Sequence, residues 1–175
     1  MSDFGDLDFG GAAAGDMGGF GSIPSAAPAS GPAPDDTAAV PAAEQFIDGV
    51  VWGDHNAVWA LIGSAGRDEV LEVATKRGMD EAQADRLRTN TGSPAETNEF
   101  LQDLVNGLRA ELAGNDLDSI TYDVDPEHTG SGRIAVKMFV PLHPLLGGTL
   151  PIGTLFMVAE GDVWKVERLI PLSSK

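Results

Sequence analysis

Only a few places in this 175-residue sequence bring together side chains whose types could do chemistry. Tyr122, the single tyrosine, alternates with Ile120 and Val124, so a strand would carry all three on one face. A phenol held in an apolar pocket could do general acid–base work, whereas a core phenol bonded to backbone is the plainer reading. Arg168 stands between Val166 and Ile170 at two-residue spacing, with Trp164 before them. Strict alternation puts its guanidinium on the apolar face, where it needs a carboxylate or a ligand anion. An edge position, or an ion pair near Glu167 or with Asp123, is the alternative. Asp54 and His55 are adjacent, but neighbouring helical residues diverge by about 100° and do not form a dyad. Asp54 is better suited to capping a helix, and His55 to a first-turn surface position.

Asp123, Asp125 and Glu127 alternate like the start of a calcium loop, but His128 and Ile134 stand where that loop needs Gly and Glu, so a solvated hairpin turn is expected. His128 belongs to that turn, His143 lies between two prolines, and neither has a visible partner. The histidines show no metal-ligand spacing, and without cysteine there is no disulfide, thiol nucleophile or thiolate site. Gly63-Ser64-Ala65-Gly66 lacks the spacing of a nucleophile elbow, and no glycine loop with Lys follows a strand. Neither a metal nor a cofactor is expected. Asp-Phe-Gly occurs at Asp3-Phe4-Gly5 and again at Asp8-Phe9-Gly10, but without the glycine loop, strand lysine and catalytic loop of a kinase it is only a repeated acidic-aromatic pattern.

The elements that must hold these groups follow from periodicity and breaks. Phe46, Ile47, Val50 and Val51 mark a helix that Gly53 ends, and His55 to Ile62 a short second one. A third helix spans Arg67 to Arg77 and closes at Gly78, and a polar one spans Asp80 to Arg88. Ser93-Pro94-Ala95-Glu96 is a capping box with proline at the first helical position, predicting a helix to about Leu112 with Gly114 past its end. From Leu117 onward the side chains alternate. A strand through Ile120, Tyr122 and Val124, a turn over Asp125 to Gly132, and strands through Ile134 to Val140, Leu150 to Glu160 and Val163 to Ile170 make an antiparallel meander. Helices first and strands afterwards predict an α+β domain.

Residues 1–40 contain eight glycines, four prolines and six Asp but no Lys or Arg, a composition that predicts a disordered arm before a single domain over residues 41–175. The arm's Phe4, Leu7 and Phe9 suit a short anchor for another protein on a long tether, with an idle tail as the alternative. A net charge of −16 argues against nucleic acid and anionic membranes. The first basic residue is Arg67 and no apolar run has the length of a spanning helix, so a cytoplasmic protein is expected, with export lacking a cleaved signal left open. Val140 to Pro151 is too apolar for a solvated loop; Leu142, Leu145 and Leu146 are expected either to cover a pocket mouth or to contact a partner.

FIDGVVWGDHNAVWALI, Phe46 to Ile62, resembles the opening helix, Gly-Asp break and second helix of the nuclear transport factor 2-like superfamily, the cystatin-like α+β cones. GDVWKVERL, Gly161 to Leu169, is similar to that superfamily's last hairpin. The resemblance implies helices packed in a curved antiparallel sheet, a pocket inside the cone, and often a homodimer. Many members place a strand pair between the early helices and the long one, where Arg67 to Asn90 has a helical pattern here. Two functions follow. One is a non-catalytic domain that binds a protein or a small apolar ligand, anchored by the acidic-aromatic arm. The other is a small isomerase, dehydratase or polyketide cyclase, with Tyr122 and Arg168 as its polar groups. They separate on whether those two residues converge in one enclosed cavity.

Overall fold

The computed structural model describes residues 35–130 and 132–172. Helix α1 (Ala39–Trp52) buries Ala43, Phe46, Ile47 and Val50 along one stripe, and Gly53 ends it in the left-handed conformation at φ 76°. From α5 (Pro94–Glu111), Arg109 donates to the last carbonyls of α1, to Val50 at 2.7 Å and also to Val51. Asp54 caps α2 (His55–Leu61), its side chain accepting from the Ala57 amide at 3.0 Å. Helices α3 (Ser64–Lys76) and α4 (Glu81–Arg88) fill the stretch with the helical pattern, α3 starting about a turn before Arg67. The Ser93 capping box opens α5, whose Phe100, Leu101, Leu104 and Leu108 are buried. Residues 36–40, predicted to belong to the arm, form a 3-10 turn and the start of α1, and Ala39 is buried. Phe4, Leu7 and Phe9 lie outside the described residues.

Strands β1 (Thr121–Gly130), β2 (Arg133–Pro141), β3 (Thr149–Glu160) and β4 (Val163–Pro171) form one antiparallel sheet in that order. The architecture is therefore α+β. Leu117–Ser119 is a 3-10 turn, so β1 begins later than its alternation suggests. β1 then runs through most of the predicted turn, its register with β2 shifting between Asp125 and Gly130. Ile134, Val136, Met138 and Val140 are buried on one face of β2, as their spacing predicts.

α1 packs against all four strands on the face that carries Val124, Val136, Leu155 and Leu169 in register. Trp164 is buried there, and its indole donates to the Asp35 carbonyl at 3.0 Å. The outer edge of β4 is covered by the chain. Ile62 forms a parallel bridge with Val166, the Gly63 amide donates to the Val166 carbonyl at 2.8 Å, and α3 packs alongside. A Cβ on Gly66 would sit 2.7 Å from the Glu167 carbonyl oxygen, so glycine is what lets α3 lie this close to β4.

Candidate functional site

Arg168 does not join Trp164 and Val166 on the buried face. The register of β4 against β3 runs Met157 with Val166 and then Phe156 with Arg168, leaving Glu167 as the extra residue of a β-bulge. The bulge advances the side-chain phase by one residue: Leu169 takes the inward place and Arg168 turns to the opposite face. There Arg168 donates to both carboxylate oxygens of Glu69 on α3, each at 3.2 Å. Its partner is neither Asp123 nor a group beside Glu167. Glu167 itself accepts from Arg133 at 2.7 Å.

Tyr122 pairs across the ladder with Met138 on the helix-covered face. It is half-buried at the open side of the sheet, and its hydroxyl makes no hydrogen bond among the described residues. Among the described residues no backbone group supplies the bond expected of a core tyrosine. Burial raises the phenol above its ordinary pKa, and the negative charges of Asp48 and Glu44 on α1 raise it further. Tyr122 and Arg168 therefore lie on opposite faces of the sheet.

The cavity bounded by α1, α3, α5 and β4 measures about 20 Å³, room for little more than one water molecule. Phe46, Val70, Leu104, Leu108, Val166 and Leu169 are among its lining residues. Arg168 borders it and Tyr122 does not. A wider cleft of about 260 Å³ lies open between α3 and α4, edged by Asp68, Glu72, Glu81 and Asp85. Arg88 bridges two of its carboxylates, bonding Asp68 at 2.9 Å and also Asp85.

Asp125, expected in a solvated turn, is only 5% exposed. Its Oδ2 receives the Lys137 ammonium and His128 Nδ1, each at 2.9 Å, so His128 does have a partner. The β1 irregularity makes this pairing, because it folds residue 128 back over residue 125. Lys137 first, and then His128, hold the Asp125 carboxyl down to about 2. The ligand atoms of Asp125, Glu127 and His128 lie within 4.8 Å of one another, but the lysine already supplies a cation to the aspartate.

His55 bonds Asn98 at 3.3 Å on the surface, and the Leu145 amide donates to His143 Nδ1 at 3.3 Å within the β2–β3 connection. In that connection Leu142 is half-buried, while Leu145 is 89% and Leu146 75% exposed. Trp52, at the end of α1, is 81% exposed and was not among the sequence candidates. Its signal was available: it lies off the buried stripe, four and eight residues after Asp48 and Glu44. No helix among the described residues is long and apolar enough to cross a membrane. No family model, curated protein or solved structure matches the chain.

Proposed function

We propose that the folded region is a nuclear transport factor 2-like cone whose work is non-catalytic binding of a partner protein, with the arm as a second attachment point. The observation that carries this is a contrast in where apolar surface goes. Among the described residues, the cavity bounded by α1, α3, α5 and β4 holds about 20 Å³, while Leu145, Leu146 and Trp52 stand in solvent. Large apolar side chains grouped on a surface cost solvation unless another molecule covers them. That cavity is too small for a small apolar ligand, and the exposed leucines and Trp52 favour a protein as the partner. The enzyme reading would need Tyr122 and Arg168 at one enclosed site, and their positions on opposite faces weigh against it. α1, the Gly53 break and α2 coincide with the first stretch of resemblance, which supports the cone.

The test is co-purification from the source cells of proteins bound to the full-length chain. Leu145→Asp with Leu146→Asp is expected to lower recovery of a specific partner at an unchanged melting temperature, as is Phe4→Ala with Phe9→Ala. Unchanged recovery in both double variants would refute the reading.

A further inference from the structure

Where α1 meets β1, the described residues leave an acidic and aromatic surface without a partner among themselves. Glu44, Asp48 and Trp52 follow at four-residue intervals, so α1 presents them as one exposed row. Tyr122 lies on the face of β1 that α1 packs against, where the negative charges of Asp48 and Glu44 act on its phenol. Neither Glu44 nor Asp48 makes an ion pair or hydrogen bond among the described residues. The four described strand cations, by contrast, are all engaged: Arg133 with Glu167, Lys137 with Asp125, Arg168 with Glu69, and Lys165 with the Ala60 carbonyl.

The second observation is the edge itself. β1 is an outer strand, and among the described residues no backbone–backbone hydrogen bond is made along its outer side over residues 121–125, although the Thr129 hydroxyl donates to the Asp125 carbonyl at 2.7 Å. Exposed edges are ordinarily blunted by Lys, Pro or a bulge. Here Pro126 and the register shift come only after Asp125, and Thr121-Tyr122-Asp123-Val124-Asp125 contains neither Lys nor Pro.

We propose that the β1 edge, with Trp52, Tyr122, Glu44 and Asp48, is a docking site for an extended, lysine- or arginine-bearing segment of a partner protein that adds as a further strand. This rests on the protein-binding reading above and locates a second contact for it. Charge selects the occupant. A second copy of the chain brings its own −16, and residues 1–34 hold four Asp and no Lys or Arg, so both self-docking arrangements set like charges together. Geometry agrees with an extended segment. Carboxylates one helical turn apart are spaced by about 6 Å, close to the roughly 6.6–7 Å between alternate side chains of a strand. Backbone bonds to β1 would supply affinity, and cationic side chains lying over Trp52 and Tyr122 would add cation–π contact.

To test it, the full-length chain is titrated with a short synthetic peptide alternating Lys and Val, and with the same peptide carrying Glu for Lys. NMR follows the Trp52 indole, identified by its loss in Trp52→Phe, and the amides of residues 121–125. The lysine peptide is expected to shift both sets of signals. Its affinity should fall about tenfold in Glu44→Lys with Asp48→Lys, and in Trp52→Ala, and hardly at all in Asp80→Lys with Glu81→Lys on α4. Equal losses in the two charge-reversed pairs, equal binding of the glutamate peptide, shifts elsewhere, or no shift at millimolar peptide would each overturn the proposal. So would a Trp52 signal that moves with protein concentration, revealing a second copy, or in Phe4→Ala with Phe9→Ala, revealing the arm. If this site fails while the Leu145 and Leu146 double variant still loses its partner, the inference falls and the binding reading stands.

Discussion

Along β4 the sheet is closed by the chain itself, whereas along β1 no described residue extends it. On the β4 side Ile62 extends the ladder, Ser64 bonds Glu160 through both its amide and its hydroxyl, and Gly66 lets α3 approach the bulge. On the β1 side Tyr122 and Val124 are only half-buried, and α1, which packs against β1, exposes Trp52 at its end. Among the described residues, the same sheet thus has one edge joined to the chain by backbone hydrogen bonds and one with no backbone–backbone bond along its outer side over residues 121–125. Stability should be concentrated at the first and recognition at the second.

The largest effect is expected for Trp164→Ala, which empties a buried site and frees an indole bond; a loss of about 3–5 kcal/mol in denaturant unfolding is predicted. A loss below about 1 kcal/mol would break the assignment of stability to the β4 side. Gly66→Ala should cost about 1–3 kcal/mol, because its methyl meets the Glu167 carbonyl at 2.7 Å and one element must shift. A neutral result in the same unfolding measurement would mean that α3 can lie farther from β4.

Two titrations sharpen the comparison on the β1 side. Asp125 has its folded pKa lowered to about 2, so its stabilisation is present above the unfolded carboxyl value of about 3.9 and is lost as pH falls through about 2. Asp125→Asn should flatten that acid limb of the stability curve. For Tyr122 the sign is reversed in pH. Its folded pKa is raised, so the neutral phenol favours the fold below the unfolded value of about 10, and that contribution is lost as pH rises beyond it. As the single tyrosine, it can be followed directly by phenolate absorbance. Native ionisation should lag behind that of the unfolded chain, and Glu44→Gln with Asp48→Asn should shorten the lag without removing it, since burial is the larger cause. The smallest effect belongs to Trp52→Ala, expected to change stability by no more than about 0.5 kcal/mol. A large loss would show that Trp52 belongs to the fold.

The helices were legible because their signals are local. The Ser93 box, the Asp54 cap and the Gly53 stop each act within a few residues of where they stand. The alternation of β2 was legible for the same reason. Arg168 was misplaced because its phase depends on one extra residue at Glu167, and that bulge fits against α3, an element nearly a hundred residues away in the chain. The Asp125–His128 pair was hidden by reading the segment as a solvated turn, when an irregular strand brings positions three apart together. Apolar periodicity gave no signal for Trp52, because it marks the buried stripe and Trp52 lies off it. The row it forms with Glu44 and Asp48 enters the proposal only once β1, an element far along the chain, packs against α1.

Amide hydrogen exchange on the full-length chain, read residue by residue, tests the difference between the two edges most directly. The outward-facing amides of residues 121–125 should exchange rapidly while those of β4 stay protected, and the lysine–valine peptide should slow the first set alone. Protection of 121–125 equal to that of β4 in the free protein, or no added protection with the peptide bound, would contradict the account.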